Sequence, residues 1–311
     1  MRNAFADEIG RLATDDTDIV LLSGDIGNRL FDKFQKKFSQ RFVNCGVAEA
    51  NMTGVAAGLA MTGLKPVTYS IAAFNTHRCL EQIRVDLCYH NLPVTIIGVG
   101  GGLSYAGLGY THHASEDLGA LRLFPNMTVL CPCDANELRG ALRAAVTHHG
   151  PVYIRMGKKG EPDIHHGVPD FAIGKGLKVK EGDDICILGV GSILSEVLKA
   201  DTLLTEQGIS SSIYSFPSVK PLDEGLLQRV FNRFPLVVSV EEHTRLGGTG
   251  AAIAEWLVDT YLSNAGAFLR LALPDKVFNE GGDQHYARES LGLTGKQIFD
   301  KILAKVKIIS K

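Results

Sequence analysis

From end to end this chain alternates short apolar runs with stretches of helical period, and that alternation limits the folds open to it more than any other feature. The runs DIVLLSGD (18–25), KPVTYS (65–70), PVTIIGVG (93–100), MTVLCP (127–132) and PVYIRM (151–156) read as buried strands. Strands apolar on both faces belong to a parallel sheet covered on both sides, and the covering elements are the intervening helices. These are expected at 48–62, 75–89, 115–123 and 134–147, with Asp134 as the N-cap of the last. The segment MRNAFADEIGRLA adds an amphipathic helix at the start. The stretch 157–176 is polar, carries Pro and Gly, has no clear period, and reads as a linker. Strands then resume at 184–191, 211–216, 235–242 and 268–274, with helices at 192–207, 223–233, 249–263 and about 294–305. The expectation is an α/β protein of two domains with parallel-rich sheets, residues 1–160 and 179–311, joined by 161–178.

Composition removes several classes of function. The formal net charge is −2 with no block of like charges, so neither nucleic acid nor a membrane surface is an expected partner. No apolar run is long enough to cross a bilayer, and the first helix lacks the apolar core and cleavage signature of a signal peptide. The six cysteines lie within apolar elements and form no CxxC pair, which fits small buried residues in a reducing cytoplasm.

Three motifs invite chemistry. The glycine-rich turns GVGGGLSYAGLG (98–109) and GVGSIL (189–194) follow strands, but neither gives the full spacing of a dinucleotide loop, and tight strand exits explain their glycines. His112, in THHASED (111–117), follows such a loop, where open α/β sheets gather ligands. Glu49 opens a helix rich in small residues, GVAEANMTGVAAGLA. An acid in a first turn compensates the helix dipole. An acid sealed into a tightly packed junction is costly unless it has a partner or a task.

Taken in order, these segments resemble the C-terminal half of the transketolase family of thiamine diphosphate enzymes, over nearly the whole chain. SGDIG (23–27) resembles the first-strand turn of the pyrimidine-binding domain, and GVAEANMTGVAAGLA the segment with the cofactor-activating glutamate. YSIAAFNTHRCLEQIRVDL (69–87) resembles the segment that lays an aromatic ring on the cofactor, and GLGYTHHASED (107–117) the substrate-histidine loop. VEEHTRLGGTG (240–250) resembles the last domain, more often structural than catalytic. The resemblance implies that Glu49 hydrogen-bonds N1′ of the aminopyrimidine and so promotes loss of the thiazolium C2 proton. It implies that Phe74 stacks on that ring, that Asp25 adjoins the cofactor, and that His112 contacts substrate oxygens. Arg2, Ser23 and Arg155 match positions that hold the phosphate of a sugar phosphate.

Two departures bear on specificity. Leu108 stands where the family carries an aspartate that reads a substrate hydroxyl, and a phosphate-side histidine is replaced near Gly100. A third bears on assembly: the GDG motif and downstream Asn that bind Mg²⁺ and diphosphate are missing. The expectation is the C-terminal subunit of a split transketolase, without its own metal site. It would combine with an N-terminal subunit that carries GDG, in an α2β2 tetramer. It would transfer a two-carbon ketol unit from a ketose donor to an aldehyde among sugar or sugar phosphate substrates, with thiamine diphosphate and Mg²⁺ held mainly by the partner. The alternatives are a 1-deoxyxylulose-5-phosphate synthase-like condensation, the β subunit of a 2-oxo acid dehydrogenase, and a non-catalytic scaffold.

Overall fold

The computed structural model describes residues 1–27, 29–260 and 265–309. Its first sheet contains β1 (Ile19–Ser23), β2 (Phe42–Asn44), β3 (Lys65–Ile71), β4 (Thr95–Val99), β5 (Thr128–Leu130) and β6 (Val152–Met156). The second contains β7 (Leu177–Lys180), β8 (Ile185–Val190), β9 (Ser211–Ser215), β11 (Leu236–Thr244) and β12 (Ala267–Leu273). One further strand, β10 (Ser218–Lys220), leaves the second half of the chain and pairs antiparallel with β5. The orders are β10-β5-β6-β4-β3-β1-β2 and β12-β11-β8-β9-β7. All pairings are parallel except β10 on β5 and β7 on β9.

The fully apolar runs became the central strands, as the coverage argument requires. Every residue of β1, β4, β6 and β8 is buried. Asp134 caps the helix Ala135–Ala145 by accepting the Glu137 N–H at 2.7 Å. The continuous helix expected over 75–89 is instead broken into Ala72–Thr76, a 3-10 turn His77–Cys79, Leu80–Gln82 and a π-wound stretch Ile83–Tyr89. Such local rewinding re-aims side chains within one helical run and is frequent at functional sites. Helices Asp32–Lys37 and Gln284–Leu291 and strands β7 and β10 went unpredicted. The helix expected over 249–263 runs Thr249–Thr260, and 261–263 lie outside the described residues.

The second half braces the glycine-rich loop that follows β4. Glu242 accepts the Leu103 N–H at 2.6 Å and is itself bonded by Arg288 Nε at 2.5 Å. His243 accepts the Gly119 N–H at 3.1 Å, and Arg122 donates to the Gly247 carbonyl at 2.6 Å. All six cysteines are free thiols, and five are buried. No helix among the described residues is long and apolar enough to cross a membrane.

Candidate active site

The carboxyl ends of β1 and β3 and the start of the helix Glu49–Met61 converge on one buried acid. Glu49 is 1% exposed. Its Oε1 accepts the Ser70 hydroxyl at 2.9 Å, from the end of β3. Gly24, just beyond β1, closes the floor: a Cβ there would fall 3.0 Å from Ser70 Oγ and 3.4 Å from Glu49 Oε1. The backbone must pass this close for the acid to be enclosed, so glycine is needed.

The other oxygen of Glu49 meets Arg78, whose Nη1 lies 2.6 Å from Oε2. Arg78 stands in the 3-10 turn that interrupts the expected helix, and its side chain is 45% exposed. Its guanidinium also lies over the Phe74 ring, 4.7 Å from the centroid. Phe74 in turn touches His112 edge to face, with ring centroids 5.0 Å apart. The fold thus brings together Glu49, Phe74 and His112, which the sequence singled out, and adds Arg78, which it did not.

His112 stands in a 3-10 turn, with Nδ1 3.0 Å from the Thr111 hydroxyl. Burial lowers its pKa from the usual histidine value of 6.5, and the neighbouring His113 adds to this. A second ring, Tyr105, packs 6.2 Å from it. Tyr105 explains the missing histidine near Gly100. At Gly100 φ is +79°, and a Cβ would lie 2.0 Å from the Tyr105 ring, so the ring occupies the space that a side chain there would need.

The expected phosphate residues are engaged differently. Arg155 is 4% exposed, and Nη2 donates to the carbonyls of Ala114 at 2.8 Å and Glu242 at 2.6 Å. Its Nε lies 3.5 Å from the buried Asp117. This arginine ties the loop to both halves of the chain through Nη2 and Nε. Ser23 is 2% exposed, and its hydroxyl donates to the Ile26 carbonyl at 3.1 Å, fixing the turn. Asp25 is exposed with φ +56° and accepts the Asn44 side-chain amide at 2.9 Å. Leu108 is 55% exposed on the turn before His112. Arg2 is half-buried beside Tyr69 and Tyr105, and its charge opposes the burial that raises both hydroxyl pKa values.

A buried acid at strand ends, an aromatic ring linked to it through Arg78 and a histidine loop against that ring make one continuous cluster. Residues 1–161 match "Transketolase, pyrimidine binding domain" and residues 174–298 match "Transketolase, C-terminal domain". The chain is 34% identical to one subunit of an apulose-4-phosphate transketolase of Phocaeicola vulgatus, over 94% of each chain. It is 35% identical to a 6-deoxy-6-sulfo-D-fructose transketolase subunit of a Clostridium species, covering 96% of this chain and 92% of the other. A solved structure described as a split gene transketolase, inactive beta4 tetramer, superposes with a TM-score of 0.88 at 34% identity, covering 97% and 96% of the two chains. The chain belongs to the transketolase family of thiamine diphosphate-dependent transferases. Within it, this is a split-transketolase C-terminal subunit of the ketol-transferring kind.

Proposed function

We propose that this chain supplies the pyrimidine-side half of a ketol-transferring site and works only with a diphosphate-binding partner. The observation that carries the reading is the enclosed carboxylate of Glu49 beside the half-buried face of Phe74. The fit to thiamine diphosphate rests on this geometry. The acid is enclosed, Gly24 leaves only backbone beneath it, and the aromatic ring is joined to it through Arg78. When bound there, the cofactor supplies the nucleophilic carbon that cleaves and rebuilds the ketose.

Glu49 would hydrogen-bond the cofactor's aminopyrimidine, with Ser70 fixing the orientation of Oε1. Phe74 would set the plane of the bound ring. His112, kept neutral near pH 7 by burial and with Nδ1 on the Thr111 hydroxyl, would offer Nε2 to a substrate oxygen. Asp25, exposed in the turn after β1, would adjoin the cofactor. The partner would carry GDG, Mg²⁺ and most of the diphosphate contacts, in an α2β2 assembly in the cytoplasm. The helix Glu49–Met61 supports this docking, because Asn51, Val55, Gly58 and Met61 form an exposed stripe at helical spacing. Free thiols support a reducing compartment.

The test is Glu49→Gln in the assembled complex. The variant should keep the fold and slow hydrogen–deuterium exchange at the cofactor C2 by about 10²–10⁴-fold, the range for one acid–base contribution. An unchanged exchange rate would place the activating acid elsewhere.

A further inference from the structure

A second buried polar cluster lies where the end of β5 meets the linker. Cys133 follows β5, Asp134 caps the helix Ala135–Ala145, and Glu137 lies in its first turn. All three are at most 1% exposed. The linker lays His165 beside them, with Nε2 3.9 Å from Glu137 Oε2. Each residue offers one ligand-type atom: the thiol sulfur, a carboxylate oxygen from each acid, and an imidazole nitrogen. These four atoms all lie within 4.8 Å of one another.

Helix capping explains part of this arrangement. Asp134 Oδ1 accepts the Glu137 N–H, and Glu137 Oε2 accepts the Cys133 N–H, both at 2.7 Å. Asp134 Oδ2 accepts the Ile164 and His165 N–H groups at 2.8 and 2.7 Å, and Asn136 donates to the His165 carbonyl at 2.7 Å. The backbone of His165 is thus held from two sides. Capping leaves the centre of the cluster unexplained. His165 Nε2 is buried without a hydrogen-bond partner, and 3.9 Å is too long for a bond to Glu137. Among the described residues, that imidazole is the only group able to carry positive charge within ion-pair distance of the fully buried Glu137. Burial accordingly pushes the Glu137 carboxyl pKa up, and burial together with Glu137 pushes the Cys133 thiol up. A buried acid, a thiol and an orphaned imidazole around one point are costly until a cation joins them.

We infer that Cys133, Glu137 and His165, with Asp134 as the fourth ligand, form a structural Zn²⁺ site that pins the linker to the first domain. Sulfur, imidazole and carboxylate together suit zinc. Zinc–ligand bonds of about 2.0–2.3 Å set tetrahedral ligand atoms roughly 3.3–3.8 Å apart. The His165–Glu137 spacing is already near that range, and no pair has to close by more than about 1.5 Å. On binding, Cys133 releases its S–H proton to solvent, as does Glu137 if protonated, and both become zinc-bound anions. His165 ligates through Nε2 and keeps its proton on Nδ1. Ser215, at the end of β9, has its hydroxyl 2.9 Å from both Glu137 oxygens and so orients this ligand from the second domain. The inference holds whether or not the ketol-transfer reading does.

The test uses the complete chain, stripped of metal with a chelator. It is titrated with Zn²⁺ against a chromophoric competitor and, separately, with Co²⁺. The parent should bind one equivalent, and its Co²⁺ form should show a thiolate-to-metal charge-transfer band in the near ultraviolet. Cys133→Ser should lose that band. His165→Gln removes a ligand from the linker and leaves the core intact. It should bind at least about 100-fold more weakly, since loss of an outer-shell partner alone costs about 10–100-fold. His166→Gln, at the exposed neighbouring position, should match the parent. Zn²⁺ should also slow limited proteolysis within 157–176 at least ten-fold in the parent and leave His165→Gln unchanged. Binding without the charge-transfer band, or equal affinity in the parent and His165→Gln, would mean adventitious metal on surface histidines and would overturn the site. So would the lack of stoichiometric binding by the parent.

Discussion

Arg78 offers the sharpest test of how the candidate site is held together. Its contact with Glu49 joins a carboxylate that is 1% exposed to a guanidinium that is 45% exposed, at 2.6 Å. Removing one partner of a fully buried pair costs roughly 3–5 kcal/mol, and an exposed pair contributes at most about 1 kcal/mol. This pair lies between, since water screens the arginine and the Ser70 hydroxyl still satisfies Oε1. Arg78→Ala should therefore destabilise the chain by about 1–2 kcal/mol, lowering the melting temperature by about 2–4 °C per kcal/mol. A double-mutant cycle with Glu49→Gln isolates the interaction and should return a coupling of about 1–2 kcal/mol. Arg78 also covers the Phe74 face, so a cofactor ring bound there would have to displace it from both neighbours. Without that competitor, the assembled Arg78→Ala enzyme should bind thiamine diphosphate roughly 5–30-fold more tightly, the same free energy returned as affinity. Thermal melts of the four cycle members and cofactor titration by fluorescence are the assays. A coupling below about 0.3 kcal/mol, or weaker cofactor binding by Arg78→Ala, would refute the reasoning.

Further outcomes follow from the same geometry. The chain alone should bind thiamine diphosphate and Mg²⁺ weakly or not at all by calorimetry, and addition of a partner that carries GDG should create the site; micromolar binding by the lone chain would contradict the split-site assembly. Leu108 cannot hydrogen-bond a substrate hydroxyl, and a hydroxyl left unpaired against it loses about 1–3 kcal/mol, so Leu108→Asp should shift the ranking of an acceptor panel toward more hydroxylated aldehydes, read as kcat/KM. Burial lowers the folded-state pKa of His112 below 6.5, so the group favours folding above that value, and its contribution is lost as pH falls through the depressed value. The kcat/KM for an aldehyde should accordingly stay level above pH 6.5 and decline below it, and His112→Gln should remove that acidic limb from the profile.

The sequence by itself determined the α/β layering, because short apolar runs such as ICILGV, each bounded by turn residues, alternate with helical periods and read as central strands. It also named Glu49, Phe74 and His112 as residues that belong together, because each sits in a local motif whose order along the chain is informative. Short antiparallel edges escaped it. LKVK is half polar, SVK is three residues long, and β10 earns its place only by pairing with a strand some ninety positions earlier. The tertiary structure alone decided which cations are free. Arg155 looks like an anion ligand until Asp117 and the carbonyls of Ala114 and Glu242 surround it, and the last of these lies in the other half of the chain. Arg78, Tyr105 and Lys158 carry no motif. Their places arise from the rewound helix that turns Arg78 onto Glu49, and from the positive-φ glycine that leaves room for the Tyr105 ring beside His112 and Lys158. Such contacts join residues distant in the chain through backbone geometry, which local sequence does not encode.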